Sequence, residues 1–120
     1  MANLLLKGRL LLKNNPLTPV GRYAFKWPGA SEYLVERNNR GIDLEKKMEI
    51  EAAVVIYELS INDDFFGSHP YDRLRIIYGR RHWYVDAIRV CRAYLSLPDR
   101  PHGQNKPHFK THLEKLLAKT

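Results

Sequence analysis

The sequence predicts an α+β fold: a small N-terminal antiparallel β-hairpin or three-stranded sheet packed against three to four helices. Three observations predict it. Residues 22–27, RYAFKW, alternate basic or small with aromatic side chains, the period-two pattern of a strand. Residues 44–60 run without glycine or proline and repeat apolar groups at spacings of three and four, the pattern of a helix. Residues 69–97 hold six arginines and the only cysteine on a second helical pattern, apolar on one side and basic on the other. With 120 residues, 44% hydrophobic and 28% charged, the chain is sized for one compact domain with one modest core.

Taken in order, residues 4–12, LLLKGRLLL, read as a strand bent near Gly8, ended by Asn14, Asn15 and Pro16. Tyr23, Phe25 and Trp27 fall on one face of the next strand, with Arg22, Ala24 and Lys26 opposite. Pro28–Gly29–Ala30–Ser31 has the composition of a turn, and residues 32–37 read as the return strand of a hairpin. The aromatic face is expected to pack inward. Were it open, Tyr23 and Trp27 are the candidates for stacking on unpaired bases.

Asn38, Asn39, Arg40 and Gly41 read as a second turn, with Asp43 as N-cap of a helix over 44–60. Its expected stripe is Leu44, Met48, Ala52, Val55 and Leu59, widened by Ile56. Phe65 and Phe66 are expected to anchor the following loop to the core. A third helix begins near His69 with Pro70 in its first turn, and Gly79 marks a bend or break. An unbroken helix would carry Arg81 into the apolar stripe, so two helices are preferred. The second buries Tyr84, Ile88, Cys91 and Leu95, with Asp86 placed to pair with Arg89 at i,i+3. Residues 98–107 read as an exposed connector. A C-terminal helix follows, with Phe109, Leu113, Leu116 and Leu117 on its apolar side.

Charge is distributed unevenly. Twenty basic and thirteen acidic residues give a net +7, divided as +5 over residues 1–42, −6 over 43–72 and +8 over 73–120. A basic region of this density points to a polyanion, DNA or RNA, held through its phosphates without sequence readout. Arginine suits that task because its planar donor fork engages phosphate oxygens in pairs. The candidate contacts are Arg73, Arg75, Arg80, Arg81, Arg89, Arg92, Lys106 and Lys110, with Trp83 a further stacking candidate. The expected function is a small, non-catalytic nucleic-acid-binding accessory protein. The alternative is a protein-binding adaptor, inhibitor or self-assembling subunit, whose acidic and basic surfaces dock on one another or on a partner.

A lesser alternative is a metal-dependent nuclease drawing carboxylates from Glu45, Glu49, Asp63, Asp64 or Asp72. No ordered motif supports it, and no catalytic residue is assigned. His108 and His112, four apart, would need His102 or Cys91 to make a zinc site, without an HExxH motif or a paired-cysteine half-site. No metal and no cofactor are expected. Cys91 sits on an apolar line as a packing residue. No apolar run is long enough to span a membrane. The first residues lack the charged region and cleavage site of a signal peptide, so no membrane partner and a cytoplasmic protein are expected.

Overall fold

The computed structural model describes residues 30–99 and 105–120, and every regular element among them is an α-helix. They are α1 (Ala30–Lys46), α2 (Ile50–Asn62), α3 (His69–Arg80), α4 (Tyr84–Leu95) and α5 (Lys106–Leu117). The chain divides into two compact units between Phe65 and Phe66. In the first, α1 packs on α2; in the second, α4 packs on both α3 and α5. None of the described helices is long and apolar enough to cross a membrane.

The expected α+β fold is therefore corrected: no strand occurs among the described residues. The predicted strands over 4–12 and 22–27 lie outside them. The predicted return strand, residues 32–37, is the first half of α1, and the predicted turn at Asn38–Gly41 is its middle. The reason lies in what α1 buries. Tyr33, Leu34, Arg37, Asn38 and Gly41 form its inward stripe at spacings of three and four, a helical period. Two of those five are strongly polar, so hydropathy alone conceals the stripe.

Arg37 can be buried because its charge is met. Its Nη2 donates to Asp63 Oδ2 at 2.7 Å from α1 to the end of α2, with both side chains 0% exposed. Gly41 serves a different purpose. A Cβ there would lie 2.5 Å from Cε1 of the Tyr57 ring and 3.2 Å from Cγ2 of Ile56, so the missing side chain is what lets α2 approach. The Tyr57 hydroxyl then donates back to Glu45 at 2.8 Å.

The helix expected over 44–60 is broken at Lys47–Glu49, and Asp43 lies inside α1 rather than capping a new helix. Met48 adopts φ 63°, while Glu49 N–H donates to Leu44 O and Met48 N–H to Glu45 O. That pair of bonds is a Schellman motif. It resets the helical phase, so α2 buries Ala53, Ile56, Tyr57, Ser60 and Ile61. The expected Ala52, Val55 and Leu59 are each one position off, and Met48 is 78% exposed. The buried Ser60 hydroxyl is satisfied by donating to Ile56 O at 3.2 Å.

The same stop recurs twice. At the end of α2, Asp64 (φ 54°) donates from its N–H to Ile61 O and Phe65 N–H to Ser60 O. At the end of α3, His82 (φ 60°) donates to Gly79 O and Trp83 N–H to Tyr78 O. The break expected near Gly79 thus falls at Arg81–Trp83. Its left-handed residue is His82, with Gly79 inside α3.

The three-helix unit is held by aromatic packing. Tyr94 of α4 stacks on Phe109 of α5 (centroids 4.3 Å apart) and meets Tyr71 of α3 edge-on at 5.2 Å. Leu74, Ile77, Ala87, Ile88, Val90, Cys91 and Leu116 complete this core. Of the expected α4 line, Ile88 and Cys91 are buried, whereas Tyr84 and Leu95 are half-buried. The start of α5 is tied to the end of α4: Asn105 N–H donates to the Tyr94 hydroxyl, and Lys106 Nζ to Leu97 O at 2.6 Å.

Candidate functional site

Residues 66–120 carry eleven basic and four acidic groups, whereas residues 30–65 carry four and nine. The charged surface of interest therefore belongs to the three-helix unit. Its arginines and lysines fall into two groups according to what their heads touch.

Some are engaged within the unit. Arg75 donates from Nε and Nη2 to Asp72 Oδ1 at 2.9 and 2.6 Å, and its Nη1 lies 3.2 Å from His112 Nδ1. Lys106, besides its bond to Leu97 O, holds Asp99 at 2.7 Å. That hydrogen bond keeps the Asp99 carboxyl below its ordinary range. Arg89 pairs with Asp86 at 3.3 Å, the i,i+3 contact the sequence suggested, with both side chains about half exposed. Arg73 is half-buried.

Others face outward. Arg80, Arg92 and Lys110 are exposed. On α4, Val85, Arg89 and Arg92, continued by Ser96 at its C-cap, recur at spacings of four, three and four and form its exposed face. The corner between α3 and α4 presents Arg80, Arg81, His82 and Trp83 in succession. The Arg81 guanidinium lies 5.0 Å from the Trp83 ring centre, a cation–π distance, and Trp83 stacks on Tyr78 at 5.9 Å. This last contact joins the residues on either side of the Schellman bond, where such helix stops usually carry an apolar pair. Trp83 thus closes the corner and still leaves 50% of itself exposed. Tyr23 and Trp27, the other stacking candidates, lie outside the described residues.

The carboxylates proposed for a nuclease are dispersed among other duties. Asp63 is sealed against Arg37, Glu45 accepts from Tyr57, Asp72 is bound to Arg75, and Glu49 is exposed at the start of α2. Among the described residues no three His, Cys, Asp or Glu side chains are grouped to hold a metal ion. Cys91 is buried, and burial pushes its thiol up to about 11, so it stays protonated at neutral pH.

One cluster was hidden in the sequence. His108 and His112 of α5 face Asp72 and Arg75 of α3: His108 Nε2 lies 3.1 Å from Asp72 Oδ1, and the two imidazole centres are 4.5 Å apart. The spacings i,i+3 and i,i+4 announce each pair separately. Only the packing of α5 on the unit brings them together. Burial alone would raise the Asp72 carboxyl, but the hydrogen bonds from Arg75 and His108 outweigh it and hold it low.

No protein-family model matches the chain, and neither does any curated protein or solved structure.

Proposed function

We propose that the three-helix unit is a non-catalytic docking module for nucleic acid, DNA or RNA, which it holds through phosphates. Arg80 and Arg81 at the α3–α4 corner make the central contacts, with Arg89 and Arg92 on the exposed face of α4 and Lys110 on α5 as flanking ones. The observation that carries this reading is the α3–α4 corner, where exposed Arg80, half-buried Arg81 and a half-exposed tryptophan stand on a unit with eleven basic and four acidic residues. Arg75 and Lys106 drop out of the contact set, because each is spent on holding its own helices together. Arg81 is steered by Trp83 rather than left to wander, which lowers the entropy lost when it meets a phosphate. Trp83 contributes to binding chiefly by holding that arginine.

A salt titration of binding to fluorescein-labelled duplex DNA, single-stranded DNA and RNA tests the reading. Binding is expected at low salt and weakens as salt rises. Arg80→Ala with Arg81→Ala together should weaken it roughly tenfold or more and flatten the log–log salt slope by about 2, one for each lost phosphate contact. Absence of binding to all three probes at low salt, or an unchanged slope in a variant with native circular dichroism, would overturn it.

A second reading is favoured by Val85, 78% exposed beside Trp83: a protein partner seated on the same corner. In that case Val85→Asp abolishes capture of the partner, while nucleic-acid probes show no salt-dependent binding.

A further inference from the structure

In the Asp72–Arg75–His108–His112 cluster, ionisable groups from α3 and α5 meet at hydrogen-bond distance. Arg75 is a donor at every nitrogen and is charged at all relevant pH. Its Nη1 lies 3.2 Å from His112 Nδ1, so that nitrogen must keep its lone pair, which fixes His112 as the neutral tautomer with its proton on Nε2. His108 stands the other way round, with Nε2 donating to Asp72 Oδ1 at 3.1 Å. We propose that His112 is an acid-sensitive latch: as a neutral acceptor from Arg75 it holds α5 on α3, and on taking a proton it turns against Arg75 and releases α5.

The surroundings favour the neutral form. Burial is the largest influence lowering the His112 imidazole, followed by the charges of Arg75, His108 and Lys115, with only Asp72 acting in the other direction. The groups on each packed element can be named. From α3 they are Arg75 and Asp72; on α5 itself they are His108 and Lys115. From α4 the Cys91 thiol feels the charges of Arg75 and Asp72, and it is protonated throughout the range concerned. A group whose folded value is held below its unfolded value binds more protons once unfolded. Its contribution is complete above the unfolded value, near 6.5, and is lost as pH falls toward and through the lower folded one. The latch therefore opens because acid costs the His112 contact. Release would uncover Phe109 and Leu116, both buried in the closed unit. This inference does not depend on the nucleic-acid reading.

Histidine NMR titration of the unmodified protein, with amide exchange of α5 at pH 7.5 and 5.5, tests it. His112 should titrate below 6.5, and α5 amides, after correction for intrinsic exchange, should lose protection several-fold more than those of α4. In His112→Gln the amide oxygen still accepts from Arg75 and never protonates, so the acid-induced loss should vanish. A His112 that titrates at or above 6.5, or a Gln variant as acid-sensitive as the parent, or equal loss across α3, α4 and α5, would overturn the proposal.

Discussion

The α1–α2 hairpin and the three-helix unit are both built from helices, but they use polar residues in opposite ways. The hairpin places an arginine and an aspartate at 0% exposure on the seam between its helices and leaves an acidic exterior, with nine acidic to four basic groups over residues 30–65. The three-helix unit fills its seam with Tyr71, Tyr94 and Phe109 and turns most of its basic side chains outward. The hairpin's two described helices meet in close approach at Gly41 and around one fully buried ion pair. The described core of the three-helix unit is filled by apolar and aromatic side chains, and Arg80 and Arg92 stand exposed on its surface.

The sharpest way to break this contrast is to remove one arginine from each unit. Arg37→Met leaves the Asp63 carboxylate buried without its cation and should cost the hairpin about 3–5 kcal/mol. Arg92→Met, at an exposed position, should change stability by no more than about 0.5 kcal/mol. Urea denaturation, with amide exchange at Ile56 and Tyr57 reporting the hairpin, reads both. Equal effects would mean that the buried pair is no more structural than the surface arginine.

Glycines separate the units next. At Gly41 an added methyl group runs into the Tyr57 ring, which is itself buried and tied to Glu45. Overpacking of that kind costs about 1–3 kcal/mol and outweighs the roughly 1 kcal/mol that alanine gains in helix propensity. Gly79 has nothing within 4 Å of its absent Cβ. Gly79→Ala should therefore stabilise the three-helix unit by up to about 1 kcal/mol, while Gly41→Ala destabilises the hairpin. Thermal melts of the two single variants should move in opposite directions.

These glycines also show why the sequence was only partly legible. Gly41 and Gly79 are the residues that signal a turn, and both lie within helices. The actual stops have Met48, Asp64 and His82 in the left-handed position, where glycine is the usual marker. Without that marker, residues 44–60 read as one helix and the predicted stripe slipped by one position. The inward stripe of α1 was hidden because Arg37 and Asn38 occupy it, and their burial depends on contacts formed only in the folded chain. Features that depend on local spacing were readable: the division of 69–97 into two helices, the burial of Cys91 and Phe65, and the Asp86–Arg89 pair. The basic excess of the candidate site was readable too. That Arg75 and Lys106 are consumed internally was not, since His112 and Leu97 reach them only through tertiary packing.

The smallest effect tests the two interhelical joints against each other. Met48 (φ 63°) and His82 (φ 60°) share a backbone conformation that costs a side-chain-bearing residue about 1–2 kcal/mol. Glycine relieves this but loses roughly 0.5–1 kcal/mol of chain entropy. Met48 is almost wholly exposed, so Met48→Gly should leave a net gain of about 0.5–1 kcal/mol and raise the melting temperature by a few degrees. His82 is different because its Nδ1 lies 2.6 Å from the Tyr84 hydroxyl and its ring meets Tyr84 edge-on. His82→Gly gives up those contacts together with the strain and should come out near neutral. The difference between the two variants therefore measures what the His82–Tyr84 contact contributes at the basic corner. A gain at His82 equal to that at Met48 would show that the contact contributes nothing, and that the corner is held by Trp83 on Tyr78 alone.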